Sequence, residues 1–291
     1  VRNTAGPQVQ VDSAANASVT NSDFAGRWQL VRLLGLTGTN SVTGNSFNLT
    51  RQAGEPFTLG SETDNRSGLL IELSRQVTVS GNSFAETQTG QMDAIRLVDA
   101  RAAGASAAII LGNRFTGGRY HLRSLRSSWE MTGALSSGAR VPLVSEGADT
   151  IRLVSDTLEN TSGSGCIRAS GGNSHLTITS SVLRGCTLPG SALGAPAISL
   201  TGGSGGLFVT DSDLSGADQT AVDFVGRDLR IRGTRMSGFG SRTVPSFSST
   251  AVVLSLLASR HETASPSGRL SVAAQWLPSL LALVGYGLVV G

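Results

Sequence analysis

Short runs in which apolar and polar residues alternate recur along the chain, separated by small polar turns. One phrase repeats: an apolar residue, a polar one, a second apolar one, a small turn, then a bulky apolar residue five positions after the second apolar. It reads VTVSGNSF (Val77 to Phe84), IILGNRF (Ile109 to Phe115), IRLVSDTL (Ile151 to Leu158), LTITSSVL (Leu176 to Leu183), LFVTDSDL (Leu207 to Leu214), LRIRGTRM (Leu229 to Met236) and LSVAAQWL (Leu270 to Leu277). Weaker copies end at Phe24 and Phe47, and the copy from Trp129 to Leu135 breaks the spacing by one residue, which predicts a local bulge there.

Upstream of most copies lies a second alternating strand: LLIEL, AIRLV, YHLRSL, RVPLV, CIRA, AISL, AVDFV and AVVLSL. Its apolar positions pair as Ile71/Leu73, Ile95/Leu97, Tyr120/Leu122, Val141/Leu143, Ile167/Ala169, Ile198/Leu200, Val222/Phe224 and Val252/Leu254. Period-two alternation over so few residues makes half-buried strands and leaves no room for helices. A unit of this size cannot bury its apolar face alone, so it must stack on copies of itself. The expectation is an all-β parallel β-helix solenoid of about ten to eleven rungs, roughly 50 Å tall at one strand spacing per rung.

The turn inside the repeat gives a second signal. Its third residue after the central apolar is Asn45, Asn82, Asn113, Asp156, Ser181, Ser212 and Thr234 in successive copies. Buried turns need their polar groups satisfied, so these side chains are expected to form a structural hydrogen-bonding ladder along the axis.

Composition adds limits. With 39% hydrophobic, 5% aromatic and 15% charged residues and 37 glycines, the chain suits many short strands joined by turns. Every basic side chain apart from histidine is arginine, and a net charge of +3 spread along the chain makes no basic stripe, so no nucleic-acid partner is expected. Cys166 and Cys186 flank one repeat unit; a disulfide and a pair of free thiols both stay open. The histidines His121, His175 and His261 are dispersed, so neither a metal nor a cofactor is expected. The uncharged segment from Leu270 to Gly291 reads as a further rung, since Pro278 and its glycines make a poor membrane span. A chain that opens on Val1 and stops in mid-rung at Gly291 is expected to be one domain, 1–291, of a longer polypeptide. Its last apolar rung would then be covered by a neighbouring domain, a partner subunit or a second copy.

The repeat as quoted resembles the right-handed parallel β-helix proteins of the pectate-lyase-like superfamily, which includes phage tailspikes and many bacterial surface proteins. The resemblance spans nearly the whole chain and lies in pattern. It implies that the asparagine turn joins the second and third strands of a rung. The upstream strands would form the first sheet, whose outer face holds substrate in the polysaccharide-cleaving members. Outward positions on that sheet are then Glu72, Arg96, His121, Pro142, Arg168, Ser199, Asp223 and Val253.

Two readings follow. In one, Glu72, Arg96 and His121 are catalytic candidates, a cation and a base able to hold a uronate and abstract its proton in a polysaccharide lyase or hydrolase. Here alternation turns Tyr120 inward. In the other, these are cross-strand ion pairs on a solvated face, and Arg96, His121, Arg168 and Asp223 at most contact carbohydrate. The Asn-Thr-Asp, Asp-Asp and Gly-His-Gly of the polygalacturonases are missing, as is the Asp-Pro-His of the epimerases, and Asp211 and Asp213 fall on a different sheet from the one calcium-dependent lyases use. The favoured expectation is therefore a non-catalytic structural or glycan-binding module of a phage tail or a bacterial surface or secreted assembly, placed extracellularly, on a cell surface or on a virion.

Overall fold

The computed structural model describes residues 7–27, 29–50, 66–86, 92–101, 107–147, 150–160, 164–171, 175–187, 195–201, 205–217 and 220–239, with the backbone of 246–247, 253–257 and 260–263. These residues form a parallel β-helix: three sheets, each of ten parallel strands, with every coil of chain contributing one strand to each sheet in turn. The third coil, for example, runs Ser67–Glu72, Val77–Ser80, Ser83–Glu86. The segment from Leu270 to Gly291, expected to be a further rung, lies outside the described residues.

The apolar members of the repeat meet inside. Val79, Ile110, Met131, Leu153, Ile178, Val209 and Ile231 are successive register partners in the second sheet, a single column on the axis side, and all are buried. In the third sheet Phe24, Phe47, Phe84 and Phe115 stack ring on ring, with centroids 4.5 to 5.2 Å apart. Offset stacking of this kind adds to the burial of each ring.

In all ten coils two residues join the second strand to the third. From the first coil to the ninth, the first of the two is left-handed: Asn21, Gly44, Gly81, Gly112, Gly133, Ser155, Ser180, Asp211 and Gly233 all have φ between 48° and 67°. That conformation reverses the chain in the least space and turns the second residue inward. The inward residue builds the ladder. Asn82 Oδ1 accepts from the backbone N–H of Asn45 at 2.8 Å and from its side chain at 3.0 Å. Asn82 Nδ2 in turn donates to Asn113 Oδ1 and to Val42 O. Beyond Ala134, Asp156 Oδ1 takes the Ala134 N–H, and Ser181 and Ser212 accept backbone N–H groups at 3.2 Å. Thr234 Oγ1 donates to the Arg232 carbonyl.

Cys166 and Cys186 are disulfide-bonded and buried, one opening and the other closing the seventh coil.

The structure corrects four details of the sequence reading. In the first sheet the inward pair of the third coil is Leu69/Ile71, since Leu69 and Ile71 face Ile95 and Leu97, while Leu73 sits in a left-handed turn and is 58% exposed. The pairs Tyr120/Leu122 and Val141/Leu143 give way to Leu122/Ser124 and Leu143/Ser145. Small polar residues are needed there because Trp129 fills the space and donates from Nε1 to Ser124 Oγ at 3.0 Å, with Ser145 bonded behind it. The copy at Trp129 contains no bulge: register runs unbroken from Phe115 to Ser136 to Leu158, so Ser136 occupies the place of the bulky residue and Leu135 points outward. Finally, Val252/Leu254 was placed in the first sheet, but Val253–Leu257 belongs to the second, pairing with Asp228–Arg232; the first-sheet strand of that coil is Ser246–Phe247.

Candidate functional site

On the outer face of the first sheet one column in register runs Arg32, Leu70, Arg96, Arg123, Val144, Arg168, Ser199, Asp223. The next column on the same face runs Leu34, Glu72, Val98, Leu125, Glu146, Ser170, Thr201. Arg96, Arg168, Ser199 and Asp223 therefore share a column, although Arg96 is itself buried. Glu72 does not join them. It lies in the neighbouring column, in register with Val98, and its carboxylate pairs with Arg32 at 2.9 Å. The two-residue register change in the third coil is the reason.

His121, expected on this face, is inside the rod. The N–H groups of His121 and Leu122 both donate to the Pro142 carbonyl, at 2.9 and 3.1 Å, the mark of a β-bulge that turns two successive side chains the same way. The imidazole is 1% exposed, packs on Phe115 with ring centroids 5.3 Å apart, and bonds to Ser136 Oγ and the Gly117 carbonyl. Burial drives its pKa down to about 4, so it is neutral at pH 7. A neutral ring enclosed on all sides has no route to a substrate proton. Cys166 is turned inward by the same device, Cys166 and Ile167 both donating to Ala197 O.

The bulge has a second effect: Tyr120, expected inward, comes out. Its ring is flanked by the guanidinium groups of Arg119 and Arg123, 5.1 and 5.9 Å from the centroid. Arg119 is buried and held by both oxygens of Asp93, at 2.8 and 2.9 Å. Burial raises the Asp93 carboxyl above its ordinary value, and the Arg119 contacts oppose the rise.

Tyr120 stands at one end of a groove of about 300 Å³ crossing coils five to eight, walled by Val144, Glu146, Arg168, Ser170, Ser199 and Thr201. Arg123 leans on Glu146 at 3.5 Å. Arg168 is exposed; its guanidinium donates to Ser164 O at 2.7 Å and meets no carboxylate among the described residues. The groove thus offers one uncompensated cation, a phenol and three hydroxyls. That set suits a ligand with one negative group and several hydroxyls, read by charge-assisted hydrogen bonds. Among the described residues no cluster of His, Cys, Asp and Glu is placed to hold a metal ion. Arg123, Glu146 and Thr201 escaped the sequence reading, and Tyr120 is the residue it placed on the wrong side.

No protein-family model matches the chain, and no curated protein is significantly similar to it. Among solved structures, the chain is similar to a trypsin-treated variant of QnrB1, a plasmid-mediated fluoroquinolone resistance protein, at 11% identity over 77% of this chain and 91% of that one, with a TM-score of 0.22. The description of the β-helix stands on its own strand pairing.

Proposed function

We propose that this chain is a non-catalytic β-helix module, of the pectate-lyase-like kind, that binds an acidic glycan on the outer face of its first sheet as part of a phage tail or a bacterial surface or secreted assembly. The observation that carries this reading is the groove between Tyr120 and Thr201, in which Arg168 presents among hydroxyl groups a guanidinium that meets no carboxylate among the described residues. A rigid sheet holds these side chains at fixed spacing, so a glycan pays little for ordering them. The buried Cys166–Cys186 bond supports an oxidising, extracellular setting. Self-association or a neighbouring domain at the C-terminal end remains part of the proposal, as does the absence of nucleic acid among its partners. A lyase or hydrolase working through Glu72, Arg96 and His121 is not carried forward, because its base lies inside the rod and its carboxylate is bound to Arg32.

The test is binding of the full chain to a panel of acidic and neutral polysaccharides, with new reducing ends and unsaturated uronates assayed alongside. Retention of an acidic glycan, weakened about tenfold or more by Arg168→Ala as expected for loss of a charged hydrogen bond, supports the reading. Retention of no glycan, or turnover of any, overturns it.

A further inference from the structure

The ladder residue of the sixth coil is a carboxylate where the other ladder positions described here are amides, hydroxyls or Ala134. In the asparagine part of the ladder each side chain does two things: its oxygen accepts an N–H from the coil before, and its Nδ2 donates to a second-sheet carbonyl of that coil, as Asn113 does to Val79 O at 2.7 Å. Asp156 performs only the first. Its Oδ1 takes the Ala134 N–H at 2.8 Å, while its other oxygen, standing where an asparagine carries its donor, turns back to the N–H of Val154 in its own strand at 3.0 Å.

The site is closed. Asp156 is 1% exposed, and its ladder neighbours Asn113, Ala134 and Ser181 are all uncharged. The charged groups of the strands packed against it, Glu130 and Arg152 of the second sheet and Glu159 and Arg184 of the third, occupy outward positions. His175, at the start of the next second-sheet strand, is exposed as well. Among the described residues, no cation therefore faces the carboxylate.

We propose that Asp156 is a proton-operated joint in the stack: protonated, it gains the donor its asparagine counterparts have and closes the turn between coils five and six, and ionised it leaves a lone charge inside the rod and loosens that turn. Burial pushes its carboxyl up to about 7 against the two N–H groups that favour the charged form. The sign follows from linkage. The unfolded chain loses this proton near 3.8 and the folded chain near 7, so the stabilisation is complete below 3.8 and is lost as pH rises through about 7. The joint works in the range where an acidified and a neutral environment differ.

The test compares the full chain with Asp156→Asn by amide exchange at Ala134 and Val154, corrected for intrinsic rates, and by thermal unfolding between about pH 5 and pH 9. Expected are exchange in the wild type that speeds roughly tenfold across neutrality, flat behaviour in the variant, and a gain in melting temperature for the variant at the alkaline end that vanishes at the acid end. Parallel pH profiles for the two proteins overturn the proposal. Should Asp156→Asn fail to fold, Asp156→Ser, which copies Ser181 and Ser212, takes its place. A carboxyl carbon titration of Asp156 in the wild type decides independently: a midpoint near neutrality supports the joint, and one at an ordinary carboxylate value sinks it.

Discussion

The imidazole of His121 lies against the ring of Phe115 and above Ser136, so that a residue from the first sheet completes a column of aromatic rings begun in the third. Ser136 is too small to fill its rung, and His121 supplies the missing ring. The two positions are therefore coupled by volume.

Truncating His121→Ala leaves a cavity in a close-packed core and is expected to cost about 2–4 kcal/mol. Ser136→Phe alone overfills the same space and costs about 1–3 kcal/mol. The double variant places a phenylalanine in line with Phe115 and is expected to recover most of both losses. Chemical unfolding of the four proteins in a double-mutant cycle checks it: additive losses would mean that the two side chains do not share one space.

His121 also predicts an acid limit. Its folded-state pKa of about 4 lies below the unfolded value of 6.5, so its contribution is full above 6.5 and is lost as pH falls through about 4. The loss amounts to roughly 3 kcal/mol at the acid end. His121→Phe removes this dependence, and the difference in stability between the two proteins should shrink or reverse in favour of the variant on acidification.

Asn82 sits between two other asparagines and makes contacts in both directions. Asn82→Ala strands the Asn45 N–H and takes the Nδ2 donor from the Val42 carbonyl in a dry interior, at about 1–3 kcal/mol for each group left unsatisfied, while Asn113 Oδ1 keeps the backbone N–H of residue 82. Ser212→Ala removes one accepted and one donated bond and should cost distinctly less. Equal losses in denaturant unfolding would show that the amide column adds nothing beyond a single hydrogen bond.

Reading the fold from sequence worked where side chains obey the period of the strand. The column from Val79 to Ile231 and the turn residues behind Asn45 and Asn82 follow from spacing alone, because burial and the need to satisfy amides leave few other choices. The outer face was harder. His121 and Tyr120 exchange sides through a bulge that alternation cannot register, and Glu72 falls one column away from Arg96 because LLIEL offers two apolar frames of equal quality. Ser124 and Ser145 are polar and so drop out of a search for apolar pairs, although the Trp129 N–H holds one of them inward as an acceptor. Sites built from outward residues inherit each of these slips, and the groove at Tyr120 was hidden by them.

Breaking the Cys166–Cys186 bond by Cys186→Ser frees a coil of about twenty residues, for which chain entropy predicts a loss of about 3 kcal/mol. The variant should unfold at the same denaturant concentration with and without reductant, while the wild type shifts downward on reduction. A wild type indifferent to reductant would contradict this.

Asp93 and Arg119 form a buried pair beneath Tyr120. Arg119→Met alone leaves a charge without its partner and should cost about 3–5 kcal/mol, whereas adding Asp93→Leu is expected to restore much of it. Because Arg119 also flanks the Tyr120 ring, the restored double variant should bind glycan more weakly than the wild type even when its melting temperature is equal.

The turn between second and third strands keeps its two residues from the first coil to the last, while the segments at the other two corners differ in length from coil to coil. One edge of the prism is thus a fixed spine that tolerates no insertion. The freedom to lengthen lies at the two corners that border the first sheet, so new walls can be raised around the Tyr120 groove without disturbing the spine. Diversification of what this face grips is channelled by geometry to the side of the rod where the groove already lies.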